Sequence, residues 1–265
     1  MIDEAALRGF LARILGWSAG QAAAIESALL AIRLSVTHYA ALVLLGDMDL
    51  VPVARALHLR VFGADRPFIV ADPRRGDVPP SVRSPATRGT GLGAFEAVRG
   101  GTLCARLARL PADYSFVIGR AREPRVDVRI VIVGDSRYDR HPFLANPPPI
   151  RIPSLAHRTE ELPRIIDEYA ADAALALGAG SGSFTDADRE WVLRHAAESL
   201  PIVEAATLRL TALRASRTTD EAAAAVGLRG AALRKWRIRR RRRRGGGVRP
   251  GGIRQIMKQV ARSGA

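Results

Sequence analysis

The stretch that most restricts the fold is ALVLLGDMDLVPVARALH, residues 41–58. An apolar run from Ala41 to Leu45 meets Gly46 and a short irregular segment. Val53-Ala54-Arg55-Ala56-Leu57-His58, with helix-forming composition, comes next. Strand, tight turn, helix is the order that builds α/β folds, and it is also the order of a phosphate-binding loop. In such a loop a glycine-rich turn and a helix N-terminus offer backbone N–H groups to phosphate oxygens. The cradle itself is missing here. Asp47, Met48, Asp49, Leu50, Val51 and Pro52 include no second glycine and no lysine. Two aspartates repel a polyphosphate, and Pro52 has no N–H to give.

Charge sorts the chain into two parts. The net charge is +15 over 265 residues, yet Arg229 to Ala265 holds 14 Arg or Lys and no acid. The part before it has 27 basic against 26 acidic residues, so the excess is confined to the last 37 residues. That distribution predicts a polyanion-binding end on an otherwise neutral body. The single cysteine, Cys104, has no metal-ligand spacing around it and reads as a small buried apolar residue in a reducing cytoplasm. No run is apolar for long enough to suggest a membrane span, and no metal site is expected.

Several segments, in order, resemble the central ATPase domain of the bacterial enhancer-binding proteins, the AAA+ activators that remodel RNA polymerase carrying sigma-54. GDMDLVPVARALH is similar to that family's loop, roughly GESGTGKELVARALH, although any buried strand followed by an amphipathic helix gives a comparable pattern. Gly16 and Ser18 match the short turn that opens the family domain. Arg66 to Asp72 reads as a strand similar to PFVAVDC, and Pro73 to Gly93 as a loop without apolar periodicity. Gly93 to Leu103 resembles GRFEQANGGTL, and Val126 to Asp135 is a β-branched strand similar to VRIIAATN. Ile150 to Pro163, IRIPSLAHRTEELP, follows IRLPPLRERREDIP over 14 positions and is the most specific match.

The resemblance implies an AAA+ (P-loop NTPase-like) α/β core with a mainly parallel sheet, followed by a helical lid and a small all-α helix-turn-helix. The expected boundaries are 1–149 for the core, 150–214 for the lid, 215–244 for the helix-turn-helix and 245–265 for a flexible basic tail. It also exposes losses. The loop Gly46-Asp47 lacks the phosphate-binding lysine. Ala105 and Arg106 stand where the family has its magnesium-binding Asp and water-polarising Glu. Asp135 replaces the Asn that senses the γ-phosphate, and Val203 replaces the lid arginine. Arg137 and Arg140 are the only remnants of an arginine-finger segment, and surface arginines explain them equally well. The GAFTGA loop that touches sigma-54 does not occur, so no contact with that polymerase is expected.

The C-terminal end resembles a Fis-type helix-turn-helix. Thr219 or Asp220 is expected to cap a helix, Glu221 to Val226; Gly227 turns the chain, and Gly230 to Arg240 forms a second helix. Insertion of that helix in a major groove would bring Arg229, Arg234, Lys235 and Arg237 to DNA. Arg239, Arg240, Arg241, Arg242, Arg243 and Arg244 would neutralise phosphates. Ile253 to Val260 reads as a short basic amphipathic helix.

The function expected from this pattern is a DNA-binding transcriptional regulator with an inactive ATPase core, associated with the nucleoid. It has no catalytic residue and no cofactor, and associates with itself or with an intact AAA+ paralogue. Three other readings fit the same residues: an activator that still binds or slowly hydrolyses ATP, a pseudo-ATPase that modulates an intact paralogue, and a decayed gene product.

Overall fold

The computed structural model describes residues 3–38, 40–81, 84–123, 126–138 and 147–245. The chain divides into two compact units, Met1–Ser154 and Leu155–Ala265. The first boundary falls five residues later than the sequence suggested, and lid and C-terminal helices share one unit. Ile150–Arg151 is the reason: it is the last strand of the sheet and not the start of the lid.

The first unit opens with helices α1 (Glu4–Leu15) and α2 (Ala22–His38). Asp3 caps α1 by accepting from the Ala6 N–H at 3.0 Å. By length and apolarity alone Ala19–Thr37 could cross a membrane, a feature the sequence reading overlooked. Leu29 and Ile32 on its inner face are buried in the protein core.

Six parallel strands follow, β1 (Leu42–Leu45), β2 (Phe68–Ala71), β3 (Ala86–Arg88), β4 (Thr102–Arg106), β5 (Arg129–Gly134) and β6 (Ile150–Arg151). They lie in the order β3-β2-β4-β5-β1-β6. Helices α3 (Val51–Phe62), α4 (Gly91–Ala97) and α5 (Tyr114–Ala121) complete the unit. It is an α/β core built on an all-parallel sheet, with the apolar Leu42–Leu45 strand, buried at every position, inside the sheet between β5 and β6.

Residues 73–93 were expected to be loop throughout. They contain β3 and the start of α4. β3 is a three-residue edge strand that pairs with β2, Ile69 opposite Ala86, and with Val78 across an isolated bridge. Ala-Thr-Arg is too short for an alternation to show. Thr90 caps α4 by accepting from Gly93 N–H at 3.1 Å, while the Asp113 carboxylate accepts from Gly91 N–H at 3.0 Å and Leu92 N–H at 2.7 Å.

The second unit is helical: α6 (Leu162–Ala176), α7 (Asp186–His195), α8 (Leu200–Ala215), α9 (Thr219–Ala225) and α10 (Gly230–Gly245). Before α6, residues 155–157 and 159–161 form two single 3-10 turns, and Pro163 sits in the first turn of α6. α7 ends at His195, and α8 runs through Ala215. The expected basic helix 253–260, Arg140 and nearly all of the tail lie outside the described residues.

Candidate functional site

Ligands of open parallel sheets sit beyond the carboxyl ends of the strands. At that edge β4, β5 and β1 are neighbours, with Arg106 opposite Val133 and Leu45 opposite Gly134. Asp47, Ala105, Arg106 and Asp135 lie along that edge. Asp49, in the turn between β1 and α3, accepts from both terminal nitrogens of Arg106 at 2.8 and 3.3 Å, and from the Val51 N–H at 3.2 Å. Burial alone would raise the Asp49 pKa; the bonds from Arg106 and its charge outweigh that and hold it below the usual carboxylate range. Arg106 is pushed up in turn by its bond to Asp49.

The consequence is that the first N–H of α3 is taken by the chain's own carboxylate, and Pro52 offers none. Asp47 accepts from the Ser136 hydroxyl. Asp135 accepts from the backbone N–H of Arg137 and from its guanidinium, at 2.9 to 3.0 Å, and these bonds keep it below its ordinary pKa. Ala105 is fully buried in the sheet. Val203 is fully buried in α8 of the helical unit. Among the described residues no group of three or more His, Cys, Asp or Glu could hold a metal ion. In sequence Asp49 and Arg106 are 57 residues apart, and their opposite signs were the available hint that they pair.

Several residues around the same sheet have steric work to do. Gly101 crosses Pro67 so closely that a Cβ would stand 2.0 Å from the Pro67 carbonyl oxygen, and Gly100 has φ 76°. A Cβ on Gly46 would meet the Ile152 carbonyl at 3.0 Å. His58 is buried between α3, β2 and β4. Its Nε2–H donates to the Arg66 carbonyl at 3.0 Å, so Nδ1 accepts from the Thr102 hydroxyl at 2.8 Å. Cys104 is buried, and its thiol is pushed up to about 12 by that burial.

In the helical unit α9 and α10 are joined by a tight turn. Thr218, one or two residues before the expected cap, begins α9: its hydroxyl accepts from Glu221 N–H at 3.1 Å. The Glu221 carboxylate accepts from the Arg217 and Thr218 N–H groups. Gly227, at φ 63°, stops α9, and Leu228 N–H reaches the Ala223 carbonyl at 2.7 Å. Ala222, Ala223, Val226 and Leu233 close a small core against Ala212 of α8. Trp236 of α10 meets Trp191 of α7 edge-on, ring centres 5.5 Å apart.

α10 continues past Arg240 to Gly245, and its arginines have different fates. Arg229, Lys235, Arg239, Arg241 and Arg242 are exposed. Arg234 pairs with Asp220 at 2.6 Å, and Arg237 donates to the Thr219 hydroxyl at 2.8 Å. Arg240 turns inward, pairing with Asp188 and lying 5.4 Å over the Trp191 ring. Asp188 is fully buried. It accepts also from Arg214 and from Thr185, where it completes the capping box of α7. Burial raises its pKa, but Arg214, Thr185 and Arg240 together bring it below the ordinary value. His195 lies at the edge of this cluster, 5.4 Å from the Trp191 ring.

No family model matches the chain, and no curated protein is significantly similar to it. Solved structures similar to it include three of NtrX from Brucella abortus. The complex with ADP is 18% identical at a TM-score of 0.45, covering 87% of this chain and 57% of that one. The complex with ATP is 18% identical at 0.44, covering 96% and 70%. A third, 17% identical at 0.44, covers 78% and 54%. The chain thus spans little more than half the length of two of these proteins.

Proposed function

We propose that this protein is a DNA-binding transcriptional regulator of sigma-54-activator descent, whose ATPase-like core no longer turns over nucleotide and serves association with itself or with an intact relative. The observation that carries the reading is the exposed basic row of α10, Lys235, Arg239 and Arg242, on a helix pair already closed by its own small core. We read α9 and α10 as a helix-turn-helix with α10 as the groove-entering helix. Arg229 and Arg241 add phosphate contacts. Arg234, Arg237 and Arg240 are engaged within the protein and contribute less. The Asp49–Arg106 ion pair supports an inactive core, because it satisfies with the chain's own side chains the charges in the turn after β1. In this reading the protein acts in the cytoplasm, on the nucleoid.

The test is a salt titration of duplex binding by the full chain and by K235Q/R239Q/R242Q. Each lost phosphate contact flattens the slope of log K against log salt by about 0.9, so the triple variant should lose roughly 2 to 3 units of slope. Unchanged slope and affinity would remove α10 from the DNA contact. The alternative, an ATP-binding core, is measured separately by calorimetry: a dissociation constant well below the millimolar range, abolished by a change at Gly46, would establish it.

A further inference from the structure

A recess of about 480 Å³ opens between the C-terminal end of α8, the start of α9 and α10. Five of the residues lining it are arginines: Arg214 from the last turn of α8, Arg217 from the link to α9, and Arg237, Arg240 and Arg241 from α10. No carboxylate is among its lining residues. Asp188 behind it faces two of the five, Arg214 and Arg240, while Arg237 bonds only a neutral hydroxyl, that of Thr219. The Glu221 carboxylate stands at the rim of the recess, bonded to the Arg217 and Thr218 N–H groups. Five guanidinium groups therefore face two carboxylates, an excess of three positive charges around a concave space. Such a surface focuses potential, and planar guanidinium forks match phosphate oxygens. Leu210 and Leu213 supply an apolar wall.

We propose that this recess binds a compact chain of linked phosphates, of the class of a nucleoside triphosphate or an inorganic tripolyphosphate. Charge decides between this ligand and a DNA strand. A phosphodiester brings one negative charge to the recess and leaves most of the excess unbalanced. A triphosphate ester carries about four near neutral pH, since its terminal group ionises twice with a second pKa of about 6. The inference shares Arg241 with the DNA reading but is separable from it, because Arg214 and Arg217 are outside the proposed DNA row and the deciding titration contains no DNA.

Arg214 and Arg240 neutralise a buried acid, so the test spares them. The full chain is titrated calorimetrically with sodium tripolyphosphate near physiological salt, beside R217Q/R241Q and the charge-matched R164Q/R194Q on α6 and α7. The expected result is one site per chain, weakened about tenfold or more by R217Q/R241Q and less than about twofold by R164Q/R194Q. R217Q alone, weakening it about threefold, stands in if the double variant fails a thermal melt. ATP binding tighter than tripolyphosphate through the same arginines assigns a nucleotide, with its base on the Leu210 and Leu213 wall; equal affinity assigns the inorganic chain. Equal weakening by both double variants, or no binding up to millimolar tripolyphosphate, would overturn the site. So would loss of duplex binding in R217Q/R241Q with no tripolyphosphate bound by the parent, which would make the recess a DNA contact.

Discussion

Asp188 is the side chain whose removal should damage the helical unit most. It has no exposed surface, caps α7 through Thr185, and is the counter-charge of Arg240, whose side chain is 14% exposed, and of Arg214, which is 42% exposed. Leaving one member of a buried ion pair uncompensated costs about 3–5 kcal/mol, and losing the cap about 1 kcal/mol. The Arg214 contact faces water and adds little. These contributions share one carboxylate and do not sum, so D188A should lose about 3–4 kcal/mol. For a unit of this size that is a fall of roughly 15 °C in its melting temperature.

Two units need not melt together, so the assay must tell them apart. Trp191 and Trp236 report the helical unit and Trp17 the sheet unit. Tryptophan fluorescence during urea and thermal unfolding, with W17F as background, follows the helical transition alone. D188N keeps an acceptor for Thr185 and should lose about half as much. The sign with pH follows from the lowered Asp188 pKa: its stabilisation is present above the ordinary value of 3.8 and is lost as pH falls through the lower folded value. D188N should lack that acid-labile component. A D188A loss below about 1 kcal/mol, against the 3–5 of a broken buried pair, would refute the account of Asp188 as the unit's buried electrostatic centre.

G101A places a methyl group 2.0 Å from the Pro67 carbonyl oxygen, which backbone cannot avoid cheaply, and should cost about 3 kcal/mol or prevent accumulation. G119A in α5, with nothing within 4 Å, should stabilise by about 0.5–1 kcal/mol on the same denaturation curves. His58 is held below its ordinary 6.5, chiefly by burial. The unfolded chain therefore takes up that proton first, and sheet-unit stability falls as pH drops below 6.5. H58Q should weaken the unit by about 2 kcal/mol at pH 8 and flatten that dependence, which urea curves across pH 5 to 8 would show. R106A, removing a pair that is 28% and 54% exposed, should change stability by under about 1 kcal/mol.

How much could be read from residues alone varied with the range of the interaction. β1, β2, β5 and the helix pair α9–α10 were legible because their signals are local: continuous apolar or β-branched runs, glycine stops and caps. β3 was not, because three residues on a sheet edge are strand only by virtue of Val78 and Ile69 beside them. β6 is likewise short, two residues that owe their place to Leu44 and Leu45 beside them. In the helical unit the composition marked every arginine from 239 to 244 alike. Only the fold distinguishes Arg240, turned onto Asp188 from 52 residues away, from its exposed neighbours.

The same distinction separates the two kinds of residue at the strand ends. Gly46, Gly101 and His58 answer to neighbours inside the protein: a carbonyl too near for any side chain, or a carbonyl and a hydroxyl that need a ring between them. They are required whether or not nucleotide binds. Positions 47, 49, 105, 106 and 135 carry no such demand. There the chain has aspartates and arginines that pair with one another and with Ser136, or, at Ala105, a side chain that simply fills the core. Arg106 ends β4 and Asp49 stands in the turn after β1, so each charge is satisfied by the other across neighbouring loops, with no group from outside the protein required.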